Sequence, residues 1–99
     1  MGAVDHSSLV RWRSLEAAYV LQTLADYAKR DATFRPVKDP KTNRWHACVR
    51  GCEFELLLTG PRFWDTRAKQ GGGGAIDFAM HLAGVDFKQA VELLRTARL

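Results

Sequence analysis

The sequence predicts an α+β fold: an N-terminal helix, a small antiparallel β-meander of three to four strands, and two C-terminal helices. Three observations support this prediction. Apolar residues recur at helical spacing after residue 14, alternate with polar residues between residues 33 and 65, and return to helical spacing after four consecutive glycines. A chain of 99 residues is long enough for one such domain with its own core.

The first helix is predicted to begin after Ser14, a residue type that suits an N-cap. Its apolar stripe would consist of Ala17, Val20, Leu21, Leu24 and Ala28. It should end near residues 29–30, because the lysine and arginine there suit the negative end of a helix. Residues 1–13 have mixed composition and weak periodicity. We therefore expect a loosely ordered N-terminal segment over residues 1–13 and a single domain over residues 14–99.

The central segment has the period of two that is typical of strands. Residues 34–37 are predicted to form a short edge strand, because Pro36 cannot donate to a neighbour. Residues 44–50 and 53–58 should form a hairpin around a two-residue turn at Gly51-Cys52. Its inward side chains would be Trp45, Ala47, Val49, Phe54, Leu56 and Leu58. A further strand would contain Phe63-Trp64.

The glycines Gly71, Gly72, Gly73 and Gly74 directly precede the third predicted segment. Glycine lets the backbone approach another backbone or a phosphate closely, although such runs are also common in linkers. The helix that follows would bury Ala75, Ile76, Ala79, Met80 and Ala83, and its N-terminus could hold an anion. Asp86 and Gln89 predict a capping box at the start of the last helix.

The order of these features resembles a known family. Phe63-Trp64, a basic turn, the glycines, the Ile76-Asp77-Phe78-Ala79-Met80 helix, Gly84-Val85-Asp86-Phe87 and Ala90-Val91-Glu92-Leu93-Leu94 follow one another. This pattern is similar to the C-terminal half of the zinc-finger domain of bacterial and phage DNA primases. The family has a second cysteine pair where this chain has Thr66 and Lys69. The resemblance therefore implies a metal-free relative, as in primase-like proteins of plasmids, phages and integrative elements.

Three soft ligands lie close together in the sequence: His46, Cys48 and Cys52. A structural zinc site is nearly always closed by four ligands, and Lys69 would repel a cation. We expect no metal and no cofactor, with the two cysteines as ordinary side chains of a hairpin. Zinc binding at these residues stays open as the alternative.

The net charge of +4 lies entirely in residues 33–74. Eight basic residues there face four acidic ones: Arg35, Lys38, Lys41, Arg44, Arg50, Arg62, Arg67 and Lys69 against Asp39, Glu53, Glu55 and Asp65. A basic surface confined to one segment is typical of proteins that bind polyanions, although it is also found on ordinary solvated faces.

Other functions are poorly supported by the residues present. Asp77 and His81 lie four apart and predict an exposed helical pair, with no nucleophile placed beside them. The glycines lack the Lys-Ser/Thr ending of a phosphate-binding P-loop. We therefore expect no enzymatic activity. No apolar run or leader pattern points to a membrane, and the two cysteines are too few for a secreted framework, so we expect a cytoplasmic protein.

These observations together predict a nucleic-acid-binding module. We expect it to bind single-stranded DNA template during replication or priming of a mobile element. The predicted binding face consists of Arg44, Arg50, Arg62, Trp64, Arg67, Lys69, Gly71, Gly72, Gly73 and Gly74. Trp64 would stack bases and the cations would contact phosphates. The alternative is a protein-interaction adaptor that docks on a primase, helicase or relaxase.

Overall fold

The computed structural model describes residues 4–99, within which four helices accompany one five-stranded antiparallel sheet. The helices are α1 (His6–Ser14), α2 (Ala17–Leu24), α3 (Ala75–Ala83) and α4 (Phe87–Thr96). The strands are β1 (Tyr27–Arg30), β2 (Asn43–Val49), β3 (Cys52–Thr59), β4 (Arg62–Asp65) and β5 (Gln70–Gly73), and they neighbour one another in chain order. The predicted α+β class is confirmed, with more strands than expected. No helix within residues 4–99 has the length and apolar character needed to cross a bilayer.

The helices cover one face of the sheet, and the core lies between them. The inward side chains predicted for the central hairpin are buried, except that Phe54 is only partly buried against the core. Phe63 of β4 stacks on Phe78 of α3, with ring centroids 4.6 Å apart. Because side chains alternate along a strand, the intervening residues of β2, β3 and β4 lie on the opposite face. We call this opposite face the open face.

The N-terminal region differs from the prediction. Residues 1–3 lie outside the described part of the chain, but α1 occupies most of the segment expected to be loosely ordered. The Asp5 carboxylate caps α1 by accepting a hydrogen bond from the Ser8 N–H at 2.7 Å. Trp12 is only 1% exposed, so α1 belongs to the core. The buried indole ring of Trp12 packs α1 onto the core, although the weak apolar periodicity of this segment did not predict a helix there.

Helix α2, which corresponds to the first helix predicted from the sequence, ends earlier than predicted. It stops at Leu24, and Ala28 lies in β1, where it pairs with Ala47 of β2. The strand expected over residues 34–37 is absent from the described structure. Those residues belong to a loop of residues 31–42, which we call the β1–β2 loop, and Pro36 could not have donated to a ladder.

The turn between β2 and β3 is centred on Arg50-Gly51 rather than on Gly51-Cys52. Both residues have positive φ, 52° and 81°, which is the signature of a type I′ hairpin turn. The Arg50 N–H donates to an Asp26 carboxylate oxygen at 3.0 Å, which helps hold this conformation. The pairing of β2 with β3 shifts relative to the prediction, yet an even shift leaves every side chain on its expected face.

The two C-terminal helices are present as predicted, including the capping box of Asp86 and Gln89. The buried stripe of α3 is different, however. Phe78 and Leu82 are buried with Ala75 and Ala79, whereas Ile76 and Met80 are only partly buried. The predicted stripe was rotated, because alanine-rich helices offer two candidate apolar faces.

Asp65, at the end of β4, joins the β4–β5 turn to helix α3. Its carboxylate accepts hydrogen bonds from the backbone N–H groups of Arg67 and Ala68, both at 3.0 Å. The second carboxylate oxygen lies 2.6 Å from Nε2 of His81. Asp65 is 4% exposed, so these partly buried bonds are shielded from water on the side of the carboxylate. The exposed pair predicted between Asp77 and His81 is therefore wrong, since His81 pairs with Asp65.

Burial by itself would raise the pKa of the Asp65 carboxyl group. Hydrogen bonds from Ala68, His81 and Arg67, together with the charge of His81, outweigh burial and hold that pKa below its ordinary value. A lowered pKa in the folded state means that ionised Asp65 stabilises the fold. This stabilisation is present above a pH of about 3.9, the ordinary pKa of aspartate. It is lost as the pH falls through the lower pKa of the folded state.

Replacing Asp65 with asparagine should lower the free energy of unfolding at neutral pH by about 1–3 kcal/mol, because the bonds to the turn and to His81 lose the charge that strengthens them. The difference from wild type should shrink as the pH falls below about 3.9. Urea unfolding at several pH values measures both effects. Asp39→Asn is the matched control, since Asp39 also caps a backbone N–H, that of Lys41, but in the β1–β2 loop. Equal losses in the two variants would contradict the role assigned to Asp65.

Candidate functional site

The open face brings one row of chemically distinct residues together across four strands. Arg44 of β2 pairs with Leu57 of β3, which pairs with Trp64 of β4, which pairs with Gly71 of β5. Arg62 lies on the same face two residues before Trp64. The row therefore passes from a cation through an aliphatic side chain to an exposed indole and a glycine.

Trp64 lies directly against the glycine strand. A side chain at Gly71 would place its Cβ 2.8 Å from Cε3 of Trp64 and 2.7 Å from the carbonyl oxygen of Phe63. Contacts that short do not occur for real Cβ atoms, so only glycine permits this position of the ring. Trp64 nevertheless remains 44% exposed. The glycine therefore supports one side of a ring that solvent can still reach.

A groove of about 820 Å³ runs between the open face and the β1–β2 loop. Leu57, Trp64 and Arg62 contribute from the sheet, while Phe34, Val37 and Lys38 contribute from the loop. The volume lies within the range of roughly 300–1,000 Å³ that is usual for ligand sites. The groove is mainly apolar, with Arg62 on the sheet side and Lys38 beside Asp39 on the loop side.

The remaining predicted cations are not gathered at this groove. Arg44 forms an ion pair with Glu55 at 3.8 Å. Arg50 lies at the β2–β3 turn and lines a separate depression with Lys88 and Glu92 of α4, on the helical side of the molecule. Arg67 and Lys69 are exposed in the β4–β5 turn, at the end of β4 opposite Arg62. The structure thus brings Arg62, Trp64 and Gly71 together, and it separates Arg50 from them.

The other three glycines of the run differ from Gly71 in their surroundings. A Cβ at Gly73 would meet only the Cγ of Arg62, at an ordinary 3.5 Å, whereas one at Gly72 would face Asp77 and Phe63 beneath the sheet. Gly74 is buried at the start of α3 with a φ of 90°. The expected glycine loop is largely strand β5.

The N-terminus of α3, which could hold an anion by its helix dipole, is partly covered. Gly74 and Ala75 are buried, whereas Asp77 is exposed. The Asp77 carboxylate already lies there and accepts a long hydrogen bond from the Gly73 N–H, at 3.4 Å. A carboxylate in the first turn satisfies the positive end of the helix dipole.

The opposite end of the open face has acidic character. His46 lies between two glutamates, with Nε2 2.7 Å from Glu53 and Nδ1 3.2 Å from Glu55. Burial and the neighbouring Glu53 raise the pKa of the Cys48 thiol, so it has little thiolate character at neutral pH. No group of three or more His, Cys, Asp or Glu side chains within residues 4–99 is arranged to hold a metal ion.

Sequence reasoning missed the loop wall of the groove. Phe34 and Val37 were assigned to an edge strand and Leu57 was assigned no role, yet all three line the groove. Val37 is 96% exposed, which is unusual for a large apolar side chain. The available signal was an aromatic and a valine beside Pro36 in an otherwise charged segment, a composition that could have indicated a loop with an apolar surface.

Comparison with known proteins gives one partial similarity. A 41-residue stretch is 44% identical to the "65 kDa protein" of Zymomonas mobilis subsp. mobilis. The stretch covers 41% of this chain but only 7% of that protein. No family model matches the chain, and no solved structure matches it.

Replacing Gly71 with alanine should displace Trp64 and lower the free energy of unfolding by about 1–3 kcal/mol, since overpacking costs that much. Gly73→Ala is the matched control, because a Cβ there meets nothing closer than 3.5 Å. Thermal unfolding and the emission maximum of tryptophan fluorescence measure the two effects. If both variants behave alike, Gly71 does not support the indole ring.

Proposed function

We propose that this chain is a nucleic-acid-binding module without catalytic activity, and that it binds single-stranded DNA in the cytoplasm. The observation that carries the proposal is Trp64, which is exposed, supported by Gly71, and adjacent to Arg62. Single-stranded DNA offers the two features that this surface can use. Its bases can stack on an aromatic face, and its phosphates are attracted to cations.

The proposed interface is smaller than the face predicted from the sequence. It centres on Trp64, Arg62 and Lys38, with Arg44 at its border. Neither Arg62 nor Lys38 takes part in an ion pair within residues 4–99. Arg44 is held by Glu55, and Glu53 lies farther along the same face, so that end would repel a phosphate backbone. A DNA strand would therefore pass over the Trp64 end.

The resemblance to primase zinc-finger domains supports a role in the replication or priming of a mobile element. The region that carries it, from β4 to α4, also supplies Trp64 and Gly71. In such a module the apolar core and the Asp65 bonds would hold the turn and the helices together.

An adaptor that docks on a primase, helicase or relaxase is the second candidate. The apolar lining of the groove and the full exposure of Val37 favour it. The two functions differ in their dependence on salt. DNA binding releases counterions and weakens steeply with ionic strength, whereas docking through an apolar groove does not.

Binding to a fluorescent oligothymidylate should be detectable by anisotropy at low salt. Each neutralised phosphate adds about −0.7 to the slope of log affinity against log salt, so Arg62→Gln should make the slope less negative by about that amount. Trp64→Ala should weaken binding by about 1–3 kcal/mol with little change in slope. Arg50→Gln is the control, because it removes the same charge from the helical side.

Two results would contradict the proposal. One is the absence of binding by the folded wild-type protein at low salt. The other is equal weakening by Arg62→Gln and Arg50→Gln, which would mean that only the net charge matters.

A further inference from the structure

The β1–β2 loop gives the candidate interface a second wall that a flat sheet surface lacks. Phe34 and Val37 face the groove from the loop, while Trp64 and Leu57 face it from the sheet. Val37 has almost no contact with the rest of the protein, being 96% exposed. A ligand that enters the groove would remove the apolar side chain of Val37 from water.

We propose that the groove is a slot for a single unstacked base of the bound strand, with Trp64 on one side and the β1–β2 loop on the other. This inference rests on the proposed function and adds to it the way in which the strand is held. Lys38 and Arg62, one on each wall, would contact the phosphates that flank the inserted base.

The polar groups of the groove favour a base over a peptide. The floor of the groove is the face of the sheet, and the backbone groups of β3 are already paired with β2 and β4. A peptide in the groove would bury backbone N–H and C=O groups without partners, which is costly. A base needs only apolar contact with its two faces and can leave its polar edge in water.

The same polar groups predict little sequence preference. The hydroxyls of Thr42 and Thr59 lie in the groove but bond to each other at 2.7 Å. The Asp39 carboxylate accepts the Lys41 N–H at 2.9 Å. These groups have partners before any ligand arrives, so few remain to read the edge of a base. Stacking between apolar walls tolerates every base, because each has a flat π face.

Val37→Ser tests the slot directly, because the side chain is removed from the wall without a change of charge. Val10→Ser is the matched control, since Val10 is a half-exposed valine on α1. With oligothymidylate at low salt, Val37→Ser should weaken binding by roughly five- to ten-fold. Val10→Ser should bind as wild type does. Val37→Ser should retain the wild-type melting temperature, because the Val37 side chain is almost fully exposed.

Photo-crosslinking with an oligonucleotide that contains 5-iodouracil gives an independent measurement. The crosslinked peptides should contain Trp64 or Phe34. If wild type binds and Trp64→Ala weakens binding, but Val37→Ser binds normally and crosslinks lie elsewhere, the slot is overturned while DNA binding stands. If the wild-type protein binds no single-stranded DNA, both the slot and the proposed function are overturned.

Discussion

The hydrogen bonds of Asp65 are the interaction on which the candidate interface depends. This carboxylate closes the β4–β5 turn through two backbone N–H groups and fixes the turn to α3 through His81. Strand β5 can therefore return beside β4 within four residues, and Gly71 arrives opposite Trp64. A buried aspartate and a histidine thus join the turn to the helix.

The position of Trp64 follows from a steric constraint rather than from an attractive contact. Its indole ring occupies space that a side chain on β5 would otherwise fill, so the glycine at position 71 keeps the ring in place and exposed. The two ends of the open face differ in charge. Arg62 and Lys38 are free to contact an anion at the Trp64 end, whereas the glutamates around His46 make the other end unfavourable.

The elements that depend on a local pattern of residues could be predicted from the sequence. Alternation located β2 and β3 with the correct faces, and the capping box located α4. Strand β1 could not be predicted from the sequence, because Ala28 continues the helical spacing of α2 by chance. The sequence pattern also did not separate Arg50 from Arg62, since their distance depends on how the hairpin turns toward α4. The partner of His81 was missed for the same reason. Asp65 is sixteen residues away and meets His81 only when α3 packs on the sheet.

The most direct test of the account is a titration of the isotope-labelled protein with oligothymidylate, followed by amide and indole chemical shifts. If a strand binds over Trp64 and the β1–β2 loop, the largest shifts should occur at the Trp64 indole and at the amides of Arg62, Gly71, Phe34, Arg35, Val37 and Lys38, with little change in α4. Shifts concentrated around Arg50 and α4, or spread evenly over all exposed cations, would contradict it.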